Sequence, residues 1–168
     1  MSAAPATQLG ALLDESACRS LVEWYPYALD WLNWSGLEAL FWEDATFDFG
    51  VWQGDRAAFL PWVTALEEPF VRRLHMFAAP RIELVGAAEA RIEAGAMIHT
   101  RSTASDDAAD EVGTDTNLLV RYQFRASKRG EEWRLSELRC IPYGSQSFAG
   151  DGAGSADGLT TTNAWFAQ

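Results

Sequence analysis

Apolar positions recur at helical spacing up to Pro69 and with a period of two beyond it, so the chain reads as helices followed by a sheet. Leu21, Tyr25, Leu29 and Leu32 mark one face of a helix from about Asp14 to Trp34, with Asp14 or Ser16 as its cap and Pro26 as a kink or break. Ser35-Gly36-Leu37-Glu38 matches a capping box, and Leu37, Leu40 and Phe41 supply the stripe of a short second helix ending near Glu43 and Asp44. Ala45 to Phe49 alternates as a short strand, and Gly50 to Gly54 turns the chain. Asp55 caps a third helix whose Phe59, Trp62, Val63 and Leu66 face inward, with Pro61 as a local conflict. Strands are expected over Phe70 to Phe77, Arg81 to Val85, Arg91 to Ser102, Asn117 to Ala126 and Trp133 to Tyr143. Gly86-Ala87 and Lys128-Arg129-Gly130 supply turns, and Ser105 to Gly113 forms an acidic solvated loop. The stretch Gly144 to Gly158 carries too little apolar surface to offset the entropy of ordering it. A single domain over 1–145 with a flexible tail over 146–168 follows, the tail ending in an aromatic hook at Trp165 and Phe166.

Composition narrows the class. The 168 residues are 48% hydrophobic, enough for one real core. A formal charge of -11 repels phosphate backbones and anionic headgroups, so neither nucleic acid nor a membrane surface is an expected partner. Cys18 and Cys140 stand alone, which fits reduced thiols, and the N-terminus lacks the basic and apolar regions of a signal peptide; the expected location is the cytoplasm. Eight tryptophans and nine phenylalanines exceed what packing alone requires and suit a pocket for a flat apolar ligand.

The chemistry centres on WYPYALDWLNW, where Asp30 is the single charged residue between Trp24 and Trp34. A helix through this run buries nearly every face, which places the carboxylate beside an apolar cavity and in need of a partner. His75 and His99 are the only histidines. A buried carboxylate orienting an imidazole makes a proton-transfer site, with His75 as general base, Tyr25 able to protonate a leaving oxygen, and His99 or one of Arg73, Arg121 and Arg125 able to polarise an oxyanion. Leu29, Phe47, Leu66, Phe70, Met97 and Tyr122 are the candidate substrate-binding residues. No HExxH, cysteine cluster, GxGxxG, P-loop or GxSxG is present, so no metal site and no cofactor are expected.

The order of elements, Ala28-Leu29-Asp30 before a short helix, Phe41-Trp42-Glu43-Asp44-Ala45 entering the first strand, and Leu74-His75 before Arg81-Ile82-Glu83-Leu84 resemble the SnoaL-like branch of the nuclear transport factor 2-like superfamily over roughly residues 10 to 145. The resemblance implies an α+β fold: a cone-shaped α+β barrel in which N-terminal helices pack on a strongly curved, mostly antiparallel sheet. Scytalone dehydratase, hexachlorocyclohexane dehydrochlorinase and bile-acid dehydratases of that superfamily use an aspartate on the first long helix and a later histidine, a pattern that Asp30 and His75 match. Tyr25 matches a tyrosine of bile-acid dehydratases, and His99 a second histidine of scytalone dehydratase.

The expected function is a cofactor-independent lyase, by elimination of water or by retro-aldol deformylation, acting on a small aromatic or polycyclic hydroxylated compound, diaryl or lignin-like substrates included. The rival enzyme reading is an isomerase of the ketosteroid isomerase kind. The rival non-enzyme reading is a ligand-binding or structural subunit, as in the small subunits of ring-hydroxylating dioxygenases. Relatives of this kind form trimers or dimers, which implies a homo-oligomer, with the trimer favoured.

Overall fold

A computed structural model describes residues 5–102 and 113–149, with side chains from residue 8 onward. The expected acidic loop falls largely, and the aromatic hook wholly, outside the described residues. Helices α1 (Pro5–Asp30) and α2 (Trp34–Ala39) lead into strands β1 (Phe41–Asp48) and β2 (Gln53–Asp55), then helix α3 (Arg56–Glu67). Strands β3 (Phe70–Phe77), β4 (Arg81–Leu84), β5 (Glu89–Ser102), β6 (Thr114–Arg129) and β7 (Glu132–Ala149) complete the elements among the described residues. All seven strands form one sheet in the order β2-β1-β7-β6-β5-β3, with β4 also on β5; β1 and β7 are parallel and every other pairing is antiparallel. This is the expected α+β arrangement of helices on a mostly antiparallel sheet. Among the described residues no helix is long and apolar enough to cross a membrane.

Helix α1 passes through Pro26 without a break. Cys18, Val22, Tyr25, Ala28 and Leu29 form its buried stripe. Trp24 and Trp31 are 51% and 39% exposed, which corrects the expectation that nearly every face of this run is buried. The tryptophan-rich segment is amphipathic after all, and Trp24 packs edge-on against Tyr27 at a centroid distance of 4.9 Å.

The end of α1 sets the site. The Asn33 N–H donates to the Ala28 carbonyl (2.8 Å) and the Leu32 N–H to that of Leu29 (3.0 Å), closing the helix in a Schellman-type turn. Leu32 takes the left-handed conformation (φ 51) that such a turn demands, at a steric cost of roughly 1–2 kcal/mol. Asp30 is thereby held at the rim of the sheet.

The caps differ from expectation in two places. Asp14 lies inside α1, where its Oδ1 accepts from the Trp133 indole (2.8 Å) and Lys128 (3.0 Å) and so ties the helix to the β6–β7 hairpin. Asn33, not Ser35, caps α2, accepting from the Gly36 N–H at 2.9 Å, and α2 stops early enough for Phe41 to open β1. Asp55 caps α3 as expected, accepting from the Ala58 N–H at 2.9 Å. Gly130 (φ 64) is the first of two residues joining β6 to β7, a position where a two-residue hairpin needs positive φ.

Residues Gly144 to Ala149 are strand, paired with β6 from Thr114 to Leu119. This corrects the expected flexible stretch over Gly144 to Ala149, while Gly150 to Gly158 lie outside the described residues. A neighbouring strand satisfies these backbone groups whatever the side chains, so a local deficit of apolar surface did not decide the outcome. A register shift where Leu119 faces Gly144 and Val120 faces Pro142 absorbs the proline.

Candidate active site

The sheet's inner face and helices α1 and α3 enclose an apolar cavity of about 340 Å³. Tyr25 and Leu29 of α1, Val63, Leu66 and Glu67 of α3, Phe70 and His75 of β3, and Tyr122 of β6 line it. Phe49, Ile98, Thr100, Thr116, Leu118, Cys140 and Ser145 complete the wall. Its size and predominantly apolar lining suit a small aromatic molecule.

Asp30 and His75 meet at its edge. His75 Nδ1 lies 2.7 Å from Asp30 Oδ1, and the backbone N–H of His75 donates to both carboxylate oxygens at 3.0 and 3.1 Å. An ionised carboxylate can only accept, so the contact places the ring proton on Nδ1 and leaves the lone pair on Nε2. The side chain of His75 is almost wholly buried and that of Asp30 is 15% exposed. Desolvation strengthens the contact, and the bifurcated hydrogen bond from the β3 backbone holds the carboxylate beside the ring.

Beyond Nε2 stands Glu67. Its Oε1 is 3.9 Å from His75 Nε2 and its Oε2 is 3.5 Å from Arg73 Nε. Burial pushes the Glu67 carboxyl above its ordinary range, against the opposing pull of His75 and Arg73, and the Asp30 charge adds to the rise. Arg73 is committed to the turn between α3 and β3, donating to the carbonyls of Glu67 (2.8 Å) and Phe70. Tyr25 is buried at the cavity wall, edge-on to the Tyr122 ring at 5.6 Å; burial raises both phenols well above their usual range and pushes the Cys140 thiol up to about 11.

Of the expected residues, the structure therefore brings Asp30, His75, Tyr25, Leu29, Leu66, Phe70 and Tyr122 together. Five fall elsewhere. His99 and Met97 project from the outer face of β5, because Ile98 and Thr100 take the inward positions and the strand alternates. His99 is occupied there by Asn117 (Nδ1 to Oδ1, 2.9 Å) and faces Asp115 at 3.7 Å. Phe47 belongs to the core, stacked on Phe59 at 4.0 Å. Arg121 and Arg125 lie on the outer face in ion pairs with Glu93 and Glu137. Glu67 is the residue that sequence reasoning missed. A signal for it existed: Phe59, Val63 and Glu67 follow one another at intervals of a helical turn, so the carboxylate continues an apolar stripe.

The model of the SnoaL-like domain matches residues 10–139. The chain belongs to the SnoaL-like family. Solved structures agree with this SnoaL-like fold. A candidate scytalone dehydratase from Novosphingobium aromaticivorans is 18% identical, with 88% of this chain and 99% of that one covered at a TM-score of 0.72. The type 3 hexachlorocyclohexane dehydrochlorinase LinA from Novosphingobium barchaimii LL02 is 16% identical, covering 85% and 95% at 0.74. A candidate aromatic ring hydroxylase from N. aromaticivorans is 17% identical, covering 82% and 94% at 0.70. At such identities the likeness establishes the fold. A search of curated proteins finds no match to the sequence. Among the described residues of this SnoaL-like domain no three His, Cys, Asp or Glu side chains gather as a metal site would require.

Proposed function

We propose that the protein is a lyase that needs no cofactor and eliminates water from a small aromatic hydroxylated compound, with His75 as general base and Asp30 as its orienting carboxylate. The observation that carries this reading is the 2.7 Å contact between Asp30 Oδ1 and His75 Nδ1 at the wall of an apolar cavity. Asp30 holds the tautomer and stabilises the imidazolium that forms when Nε2 takes a proton from the carbon next to a carbonyl. Electron density then passes toward the adjacent carbon and expels the hydroxyl oxygen. The largely apolar lining binds rings without competing for the proton, and the hydroxyls of Thr100, Thr116 and Ser145 supply the few polar contacts that orient a hydroxylated substrate. The likeness to structures called scytalone dehydratase and dehydrochlorinase supports an elimination. So does the aromatic wall.

The test is turnover of β-hydroxy aryl ketones and diaryl diols by the purified chain, followed by absorbance of the conjugated product. His75→Ala should depress turnover by about two orders of magnitude or more with an unchanged circular dichroism spectrum. Turnover within a few-fold of the parent would move the chemistry elsewhere.

A further inference from the structure

Glu67 is the one group of the cavity wall that the dyad does not use and that packing does not explain. It is a carboxylate at 5% exposure in a cavity of apolar character, and Oε2 has no hydrogen-bond partner. A salt bridge to Arg73 is the ordinary explanation for such a residue. It is incomplete here: the ion pair with Arg73 Nε at 3.5 Å makes no hydrogen bond, and the guanidinium spends its Nη2 on the Glu67 and Phe70 carbonyls. The other oxygen, Oε1, lies 3.9 Å from the nitrogen that serves as base, in a residue that lines the cavity.

We propose that Glu67 is the catalytic proton donor to the leaving oxygen, paired with His75 across 3.9 Å of cavity wall. The proposal rests on the lyase reading above and supplies the acid that elimination of hydroxide requires. In the forward step Nε2 takes the carbon-bound proton, the electrons of that bond become the new carbon–carbon π bond, and the carbon–oxygen bond breaks with its pair on oxygen. The Glu67 proton goes to that oxygen, and water leaves. Imidazolium and carboxylate then face each other, and the proton on Nε2 returns to Glu67, restoring neutral imidazole and carboxylic acid. No external acid, base or redox partner enters the balance.

The surroundings fit that cycle. Burial and the Asp30 charge favour the protonated carboxyl, while His75 and Arg73 favour the carboxylate, so forming the imidazolium draws the proton from Glu67 at the moment it is needed. Tyr25, Tyr122 and Cys140 also face this space, and burial holds all three neutral. Tyr25, the donor expected from sequence, is the weaker acid, because burial raises its phenol well above the usual range.

Two probes separate an acid from a structural residue. 4-Hydroxy-4-phenylbutan-2-one must lose water and needs a proton donor; 4-(4-nitrophenoxy)butan-2-one releases a stable phenolate and does not. Glu67→Gln should slow the first about 100-fold and the second less than about threefold. Equal losses on both probes, or none on either, overturn the proposal. His75→Ala should abolish both reactions, and if it leaves phenolate release intact the base assignment falls, independently of Glu67. A readout free of turnover completes the test. Difference infrared spectra near neutral pH should show a protonated carboxyl band in the parent that Glu67→Gln lacks, and its absence from the parent overturns the proposal whether or not either probe is a substrate.

Discussion

Replacing Asp30 with asparagine removes one charge and almost no volume, so its effect can be worked out from the contacts. The carboxylate accepts three hydrogen bonds from His75, two from the backbone N–H at 3.0 and 3.1 Å and one from Nδ1 at 2.7 Å. Asparagine with its oxygen in the Oδ1 position still accepts from both the backbone N–H and Nδ1, and loses the charge and the 3.1 Å contact at Oδ2. The charge matters most once the imidazolium forms. A hydrogen bond to a charged group contributes about 1.5–3 kcal/mol, whereas Coulomb attraction across 2.7 Å at an effective dielectric near 20 is bounded at about 6 kcal/mol. At about 1.4 kcal/mol for each factor of ten, these limits bracket a loss in turnover of roughly 10-fold to 10⁴-fold. Folding should suffer far less: one neutral hydrogen bond weakened at a position partly open to water costs about 1 kcal/mol, or about 2–4 °C in Tm. The assay is the rate of enone formation from a β-hydroxy aryl ketone for Asp30→Asn beside the parent, with thermal melts on the same samples. Turnover within about threefold of the parent in a folded variant would show that Asp30 merely anchors β3. A loss of activity that tracks the loss of folded protein would show the same.

Three further outcomes follow from the fold. Burial raises the Glu67 pKa, so the native state holds that proton more tightly than the unfolded chain; the stability so gained is full below the ordinary value of 4.5 and is lost as pH rises through the raised value. Glu67→Gln should therefore melt higher than the parent at neutral pH, with the gap closing toward pH 4.5, and a gap independent of pH would contradict it. Asp14 has the opposite sign: its bonds to Trp133 and then Lys128 lower its pKa, so its contribution is present above the ordinary value of 3.8 and fades as pH falls below it. Asp14→Ala should lower Tm at pH 7 and match the parent in acid, checked by melts across that range. Finally, Met76, Met97 and Leu119 line up across β3, β5 and β6 on the outer face, 39%, 38% and 53% exposed, and we propose that a second copy covers them. Light scattering at micromolar concentration should give a mass well above 18.6 kDa, reduced by Leu119→Asp; a monomer in both samples removes the proposal.

The sequence by itself determined the order and type of the three helices and of every strand but β2, which lies in what reads as a turn, because apolar periodicity is a local property that the chain carries wherever it folds. The change from helical spacing to alternation at Pro69, the Asp55 cap and the turn at Gly130 were legible in that way. Asp30 stood out because a lone charge in an aromatic run is anomalous in composition alone, and the resemblance to a known spacing linked it to His75 forty-five residues on. Tertiary structure decided which chemistry faces the cavity. His99 and Met97 lay in a recognisable strand, yet a shift of one residue reverses every side chain, and only pairing with β6 settled that Ile98 and Thr100 point inward. Phe47 and Phe70 look alike in sequence, and the stacking of Phe47 on Phe59 assigned one to the core while the other lines the pocket. Gly144 to Ala149 became strand because β6 extends beside it. Glu67 gained its place from three elements at once: the apolar stripe of α3 turns it inward, β3 brings His75 to 3.9 Å, and Arg73 is drawn off to the turn between them. Each of those facts is local, but the environment of a buried carboxylate is the sum of its neighbours, and the neighbours are chosen only when the helix docks on the sheet.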